Sequence, residues 1–382
     1  MSCILRVVGL SVVYLLALTA CGGGSSSGSP TGSGGGTVVT ATEEEVGKLI
    51  FEDTRLSLNN NQSCATCHSA SAGFADPNVT SANPVSEGSI SGEFGDRNAP
   101  TSSYAMFTPS FALITDPVRG QIYAGGQFLD GRRNTLEAQA KDPFLNAVEM
   151  ANPDKQAVVD KVQSGPYADK FMAVYGNDVF NNTDTAYNRI ADAIASFERS
   201  DEMNKFNSKF DCYLQDSTLY PLNAQEATGL DLFDNAGKCS ACHTLTPDPG
   251  SGEVLFTNFQ YFNIGVPSNP DNPANIANAS FVDLGLGGRL AGTAENGKFK
   301  TPTLRNIELT APYMHNGVFQ TLEEVMTFYN IEEKEFATPA PEVINDINTD
   351  VDFLGLTDPD DLDALVAFMK TLTDDTGIGI CF

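Results

Sequence analysis

The chain has 382 residues, with 49 Asp and Glu against 22 Lys and Arg, which gives a formal net charge of −27 at pH 7. A chain of this length can form two domains, each with its own core. The negative charge argues against nucleic acid as a partner. It indicates either a protein partner with a basic docking face or solubility in a salty compartment.

Residues 1–21 have the pattern of a lipoprotein signal peptide. Arg6 is followed by an apolar run of about a dozen residues, which is too short to span a bilayer. The segment ends in the lipobox Leu18-Thr19-Ala20-Cys21. We expect cleavage before Cys21 and attachment of lipid to it; a secreted protein whose cleavage site ends by chance in cysteine is the alternative.

Residues 22–42 are rich in glycine and serine, and we expect them to form a flexible tether between the lipid and the folded chain. Such a tether is typical of a periplasmic lipoprotein that reaches the membrane through its lipid anchor only. Gly22, rather than an aspartate, follows the lipidated cysteine, and this favours the outer membrane.

Two copies of the motif Cys-x-x-Cys-His predict two covalently bound haem c groups. The spacing lets both thiols add to the vinyl groups of a haem while the adjoining histidine binds the iron. A zinc knuckle and a redox dithiol are the alternatives, but too few Cys and His residues remain to complete two zinc sites. The predicted haem residues are Cys64, Cys67 and His68 in the first motif and Cys239, Cys242 and His243 in the second.

The chain has only three histidines, and His315 is the one outside the motifs. At most one iron can therefore have a histidine on its second face. At least one iron is left open or bound by a ligand that is not histidine.

The other cysteines suggest one disulfide. Cys3 leaves with the signal peptide and Cys21 takes the lipid, which leaves Cys212 and Cys381. In an oxidising compartment these two can pair and connect the C-terminus to the middle of the chain.

The predicted fold is mainly α, with two cytochrome-c-like haem domains and long irregular loops. We place the domains at residues 43–220 and 221–382, because the two motifs lie far apart and fit one haem in each. Residues 76–127 and 246–300 are rich in Gly, Pro and Asn and are predicted to be irregular.

Two long helices are indicated by apolar periodicity. Ile190, Ile194 and Phe197 share one face of a helix predicted within residues 185–199. A second helix is predicted after Asp358, where the cap and a first-turn proline precede Leu362, Leu365, Val366, Met369 and Leu372 at helical spacing.

A third helix is predicted to begin at Thr321, because Thr321 and Glu324 have the capping-box pattern. Its inward face would carry Leu322, Val325, Met326 and Tyr329. Met326 and Tyr329 are both candidates to reach the second iron, and ordinary core packing is the alternative for each. Spacing alone favours neither.

From residue 47 to residue 368 the sequence resembles the bacterial dihaem cytochrome c peroxidases and their relative MauG. The resemblance rests on Arg97-Asn98-Ala99-Pro100-Thr101, on Phe128-x-Asp130-Gly131-Arg132, on Gln139 with Glu149, and on Phe299-Lys300-Thr301-Pro302-Thr303-Leu304-Arg305-Asn306 leading into Leu309-Thr310-Ala311-Pro312-Tyr313-Met314-His315.

The resemblance implies a role for each domain. The N-terminal domain is expected to hold the peroxidatic haem and the C-terminal domain the electron-transfer haem. Glu149 and Gln139 match the residues that handle hydrogen peroxide in the family, where a carboxylate moves a proton between the peroxide oxygens and an amide orients the peroxide.

The resemblance also implies further ligands. A calcium ion is expected between the haem domains, bound by the Asn98 side chain and the carbonyl groups of Thr310 and Pro312. Arg305 is expected to contribute to haem binding. Family peroxidases are often dimers, so a homodimer is an expectation as well.

Three positions bear on how closely the chain follows the family. The segment Asn83-Pro84-Val85 lacks the histidine that blocks the first iron in peroxidases that need prior reduction, so we expect an open first haem. Tyr329 falls where the second iron has methionine in typical peroxidases and tyrosine in MauG. Leu129 replaces a tryptophan that usually lies between the haems, and the chain has no tryptophan.

These observations predict a periplasmic dihaem peroxidase-family oxidoreductase with hydrogen peroxide as acceptor. Its electrons would pass through the second haem from a small redox protein or from an oxidisable protein substrate. A pure electron-transfer cytochrome, with two six-coordinate irons and no peroxide chemistry, is the competing class.

Overall fold

A computed structural model describes residues 39–332, 339–345, 347–348 and 354–375. The predicted signal peptide, the predicted lipidation site Cys21 and most of the predicted tether lie outside the described residues, as does Cys381. Cys212 is disulfide-bonded, and its pairing with Cys381 stays a prediction.

Short helices joined by irregular segments make up most of the described chain, and the prediction of a mainly α fold is confirmed. No helix within these residues is both long and apolar enough to cross a membrane. The helices are α1 (Glu43–Phe51), α2 (Cys64–Cys67), α3 (Leu136–Gln139), α4 (Asp142–Leu145), α5 (Lys155–Gln163), α6 (Ala168–Tyr175), α7 (Thr183–Glu198), α8 (Lys209–Gln215), α9 (Ala224–Asp234), α10 (Pro273–Ala277), α11 (Gly285–Leu290), α12 (Leu322–Tyr329) and α13 (Pro359–Lys370).

Two small antiparallel sheets interrupt the segments that were predicted to be irregular. Strands β1 (Ala112–Asp116) and β2 (Gly120–Ala124) form a hairpin with Asp116 opposite Gly120. Strands β3 (Tyr261–Phe262) and β4 (Phe299–Lys300) pair across a long connection. A backbone bridge between Ala124 and Gln260 places the hairpin beside β3.

The first core is built around the crossing of α1 and α7. Gly47 makes this crossing close, because a Cβ atom there would lie 1.9 Å from the carbonyl oxygen of Ala193. Ile190, Ile194 and Phe197 are buried on α7, as the periodicity predicts. The core extends from Val46 to Met203.

The second core repeats this arrangement with α9 and α13. A Cβ atom at Gly229 would lie 1.9 Å from the carbonyl oxygen of Ala364. The predicted helix after Asp358 is confirmed as α13, with Asp358 as its N-cap. This core extends from Phe210 to Leu372, so α8 packs in it although α8 precedes residue 220.

Helix α12 begins as predicted. Thr321 and Glu324 form the capping box, with the Glu324 amide donating to Thr321 Oγ1 at 3.1 Å. Leu322, Val325 and Met326 are buried. A capping interaction of this kind stabilises a helix by about 1 kcal/mol, and the helix that it begins ends at Tyr329.

Candidate functional site

The first Cys-x-x-Cys-His motif occupies one helical turn. Ser63 caps α2 through a reciprocal pair of hydrogen bonds with Thr66, and His68 follows as the C-cap. His68 Nδ1 lies 3.0 Å from the carbonyl oxygen of Phe74. A proton on Nδ1 leaves Nε2 with its lone pair for a metal, which is the usual way in which a backbone carbonyl orients a histidine ligand.

The second motif has the same support. His243 Nδ1 lies 2.9 Å from the carbonyl oxygen of Phe256. Burial lowers the pKa of His243 to about 4, against a raising effect of that hydrogen bond, and it also lowers the pKa of His68. Both imidazoles are therefore neutral at pH 7, as an iron ligand has to be.

The chemistry of the two motifs fits haem better than zinc. Burial raises the pKa of the thiols of Cys64, Cys67 and Cys239, which disfavours the thiolate form that zinc binds. No group of three or more Cys, His, Asp or Glu side chains that could hold a metal occurs in the part of the chain that the structure describes. A zinc knuckle would need such a group.

A cavity of about 320 Å³ lies against the second motif. Its lining includes Cys239, Cys242 and His243 together with many apolar side chains, which suits the mostly apolar surface of a porphyrin. The candidates for the second face of the iron, Met326 and Tyr329, line the same cavity, as does Met314. The structure therefore brings the predicted ligands of the second haem together.

The third histidine is held in place by other groups. The ring of His315 stacks on Phe299 with 3.9 Å between the centroids, and its Nε2 lies 3.0 Å from Glu342 Oε2. Glu342 in turn accepts a hydrogen bond from the Asp283 amide. The nitrogen that would bind a metal is thus engaged by a carboxylate, and His315 supports the loop around the second cavity.

Glu149, the predicted proton carrier, follows α4 and is held by a side chain three residues before it. Asn146 Nδ2 donates to Glu149 Oε1 at 2.8 Å. Burial raises the pKa of Glu149, while the Asn146 hydrogen bond and the positive charge of Arg132 act against that shift. Its charge acts on both Cys64 and Cys67, so Glu149 lies near the first motif.

Gln139, the predicted partner of Glu149, is half-buried at the end of α3. Helix α3 packs against α4, which precedes Glu149. The two residues are therefore carried by neighbouring helices. The sequence analysis did not identify Asn146 as a site residue. It lies three residues before Glu149, a spacing at which side chains often contact each other.

Arg305 is fully buried and does not line the second cavity. Its guanidinium group donates to both carboxylate oxygens of Asp211, at 2.8 and 3.0 Å, and its Nε donates to the Val254 carbonyl at 2.7 Å. This pair connects α8 to the segment before residue 306. The predicted role of Arg305 in haem binding stays a prediction.

The three predicted calcium ligands lie around one cavity. Asn98, Thr310 and Pro312 all line the cavity of the second motif. Asn98 is fixed by two hydrogen bonds: its side-chain amide donates to the Pro84 carbonyl at 2.9 Å, and its backbone amide donates to the His315 carbonyl at 2.7 Å. The first bond leaves the amide oxygen of Asn98 to act as a ligand.

A buried network of ion pairs connects Arg97 and Asp130 in the first half of the chain to Asp283 in the second half. Arg97 donates to Asp130 at 2.8 Å and to both oxygens of Asp283, at 2.6 and 2.8 Å. Arg132, which also binds Asp130, lies 3.4 Å above the ring of Phe128. Arg97 and Asp130, which come from two of the segments that resemble the family, thus bind each other. Asp283, which is distant in the sequence, binds the same guanidinium group.

The chain is similar to proteins of one family. The family model for di-haem cytochrome c peroxidase matches residues 41–218. The methylamine utilization protein MauG of Paracoccus denitrificans is 39% identical, over 86% of this chain and 88% of that protein. The chain therefore belongs to the dihaem cytochrome c peroxidase and MauG family.

Other members of this family support the assignment. The cytochrome c551 peroxidase of Nitrosomonas europaea is 32% identical, over 87% of this chain and 80% of that protein. The crystal structure of the diheme peroxidase BthA of Burkholderia thailandensis has a TM-score of 0.76 and 31% identity, covering 87% of this chain and 86% of that one. The predicted family is confirmed, and a pure electron-transfer cytochrome is not favoured.

Proposed function

We propose that this chain is a dihaem peroxidase in which the first motif serves reduction of hydrogen peroxide and the second exchanges electrons with a protein partner. One haem c in each half of the fold is supported by the repeated crossing of two helices beside each motif. When bound, the haems supply an iron that reacts with peroxide and a second iron that passes electrons to it.

The observation that carries the proposal is the buried carboxyl group of Glu149 beside the first motif. Asn146 occupies Oε1, so Oε2 is the oxygen that takes up a proton. The raised pKa brings the carboxyl group closer to working pH, which improves its exchange of protons with peroxide. Gln139 would orient the peroxide from the neighbouring helix.

An open first haem is supported by the positions of the histidines. His68 and His243 follow the attachment cysteines, and His315 is bonded to Glu342 beside the second cavity. No fourth histidine exists in the sequence. Peroxide can therefore reach the first iron without prior displacement of an imidazole.

The partner is proposed from charge and from the relatives. Two of the relatives are named as peroxidases of cytochrome c551 and of cytochrome c, whereas MauG is named for methylamine utilization. A chain with a net charge of −27 attracts a partner with a basic face. We propose a small basic redox protein as donor, with an oxidisable protein side chain as the second candidate because Tyr329 lines the second cavity.

Peroxide addition to the fully ferric protein tests this function. We expect one high-spin and one low-spin haem at rest, and rapid consumption of peroxide when a reduced basic cytochrome is present. Oxidation of the cytochrome should slow at high salt, because screening weakens attraction between charged surfaces. Two low-spin haems that are unchanged by peroxide would contradict the proposal.

A calcium ion held by Asn98, Thr310 and Pro312 forms part of the proposal. One amide and two carbonyl oxygens are donors that calcium accepts, with water completing the coordination. Dialysis against a calcium chelator is expected to remove one equivalent of calcium and to alter the spectrum of the second haem. Calcium should restore the spectrum, and an absence of calcium from the untreated protein by elemental analysis would refute the site.

A further inference from the structure

The position that usually carries a tryptophan between the haems has an aliphatic side chain here. Leu129 lines the second cavity, and its carbonyl accepts a hydrogen bond from the Lys300 amide at 2.9 Å. An aliphatic group has no accessible oxidation state, so Leu129 cannot take part in stepwise electron transfer. Another side chain between the two motifs has to do so, or transfer occurs in one long step.

The loop that supports His68 touches the second half of the fold directly. The Phe74 carbonyl that lies 3.0 Å from His68 Nδ1 also accepts the Ser102 amide at 3.0 Å. Thr101 Oγ1 donates to the Gly73 carbonyl at 2.6 Å. A Cβ atom at Gly73 would lie only 2.9 Å from Cβ of Asn306, so the loop has no room for another side chain.

Tyr104 follows two residues after Ser102 and is oxidisable. It is 2% exposed and lines the cavity that also contains His243 and Tyr329. Its hydroxyl group donates to Asp374 Oδ2 at 2.6 Å. The Tyr104 ring packs against Phe206, with 4.8 Å between the centroids.

Asp374 is held as a proton acceptor for this phenol. Asn306 Nδ2 donates to Asp374 Oδ2 at 2.9 Å, and the Asn207 amide donates to Oδ1 at 3.3 Å. Burial and the negative charge of Asp374 raise the pKa of Tyr104, against the charge of Arg305. The phenol is thus protonated at rest, with a carboxylate in place to receive its proton when it loses an electron.

We propose that Tyr104 is the redox relay between the two haems, in place of the missing tryptophan. The step begins when peroxide has oxidised the first haem. Tyr104 gives one electron to the first haem and its phenolic proton to Asp374, which leaves a neutral tyrosyl radical and a protonated carboxyl group. The radical then takes one electron from the second haem and the proton back from Asp374.

This relay rests on the proposed two-haem function. Reduction of one peroxide to two waters takes two electrons, so the relay operates twice in each cycle, and the proposed donor protein reduces the second haem again after each electron. Tyr104 ends each cycle unchanged. Tunnelling rates fall steeply with distance, so a relay residue between the haems replaces one long step with two shorter ones.

Tyr313 offers a matched control. It is buried to a similar degree, at 7% exposed, and it lines the same cavity. Its hydroxyl group, however, donates to the Ile307 carbonyl at 3.0 Å. A neutral carbonyl is a much weaker base than a carboxylate, so oxidation of Tyr313 lacks a proton acceptor.

The experiment compares wild type, Tyr104→Phe, Asp374→Asn and Tyr313→Phe as full-length holoproteins. Each is prepared with only the second haem reduced, is mixed with one equivalent of hydrogen peroxide, and is followed by stopped-flow absorption. We expect Tyr104→Phe and Asp374→Asn to slow oxidation of the second haem by about tenfold or more, which corresponds to about 1.4 kcal/mol in the barrier. Tyr313→Phe should match wild type.

Electron paramagnetic resonance gives a readout that a structural role would not change. Freeze-quenched wild type should show a tyrosyl radical that narrows when ring-deuterated tyrosine is incorporated, and Tyr104→Phe should lack it. Asp374→Asn keeps the phenol and its packing, so it tests the relay even if Tyr104→Phe folds poorly.

The outcomes separate the relay from the function on which it rests. If the first haem reacts with peroxide but the second is oxidised equally fast in all four proteins, the relay is wrong and the peroxidase function stands. A tyrosyl radical that persists in Tyr104→Phe and disappears in Tyr313→Phe would also contradict the proposed role of Tyr104. If peroxide reacts with neither haem in wild type, the proposed function fails and the relay with it.

Discussion

Glu149→Gln is expected to slow the reaction of the ferric protein with hydrogen peroxide by about 10²- to 10⁴-fold, the usual contribution of a positioned acid or base. Glutamine preserves the size of the side chain and can still interact with Asn146, but it cannot take up a proton. Without that proton transfer, the outer oxygen of peroxide has to leave as hydroxide instead of water. The rate constant is measured by stopped-flow absorption of the high-spin haem.

Glu137→Gln is the matched control. Glu137 lies on α3, close in sequence to Gln139, and its carboxylate binds Arg199 at 2.6 Å near the surface. Removing this charge should leave the peroxide rate essentially unchanged. A Glu149→Gln rate equal to that of the control would show that Glu149 has no part in proton transfer.

The pH dependence gives a second check on Glu149. The carboxyl group has to be ionised to accept a proton from peroxide, so the wild-type rate should rise with pH as Glu149 loses its own proton. Burial raises the pKa of Glu149, so this rise lies at higher pH than for an ordinary glutamate. Glu149→Gln should lack the rise altogether.

Local patterns predicted the helices that carry the candidate site. The capping box at Thr321, the cap at Asp358 and the apolar spacing from Ile190 to Phe197 each involve residues a few positions apart. Interactions of that range are encoded in a short window of sequence. The mainly α fold followed from them.

The hairpin of β1 and β2 was not predicted, although the sequence contains a local signal for it. Asp116 Oδ1 accepts hydrogen bonds from the amides of Val118 and Arg119, both at 2.8 Å, and Pro117 begins the turn. Asp-Pro followed by a glycine with positive φ is a common turn pattern between strands. The abundance of Gly, Pro and Asn elsewhere in the segment obscured it.

The long-range partners of the site residues had no signal in the sequence. Asp374 binds Tyr104 across 270 positions, Asp283 binds Arg97 across 186, and Asp211 binds Arg305 across 94. Each is one of 49 acidic residues in the chain, and only the fold selects it. Motifs thus predicted candidate haem residues, but they did not predict the long-range partners of Tyr104, Arg97 and Arg305.

Tyr329→Met is expected to raise the reduction potential of the second haem by on the order of 100 mV, within the wide range that axial ligands impose on haem iron. An anionic phenolate stabilises the ferric state, whereas a thioether stabilises the ferrous state. The potential is measured by spectroelectrochemical titration of the low-spin haem. Tyr329→Phe, which removes the ligand without supplying another, should convert that haem toward a high-spin spectrum.

Met326→Leu decides between the two candidate ligands. Met326 lies one turn before Tyr329 on α12, is 5% exposed and lines the same cavity, so its replacement controls for changes in packing. If Tyr329 binds the iron, Met326→Leu should leave the low-spin spectrum intact. A low-spin spectrum that changes in Met326→Leu and not in Tyr329→Phe would show that Met326 is the ligand of the second iron.

If Tyr329 binds the second iron as proposed, its ligation and its ionisation depend on each other. Burial raises the pKa of Tyr329, with a smaller contribution from nearby Cys242 and Cys239, so the phenol on its own stays neutral at pH 7. Thioether formation removes the negative charge that those thiolates could carry, and a ferric iron favours the phenolate electrostatically. Reduction of the iron weakens that attraction. The second haem should therefore resist reduction, which suits a site that passes electrons on and does not store them.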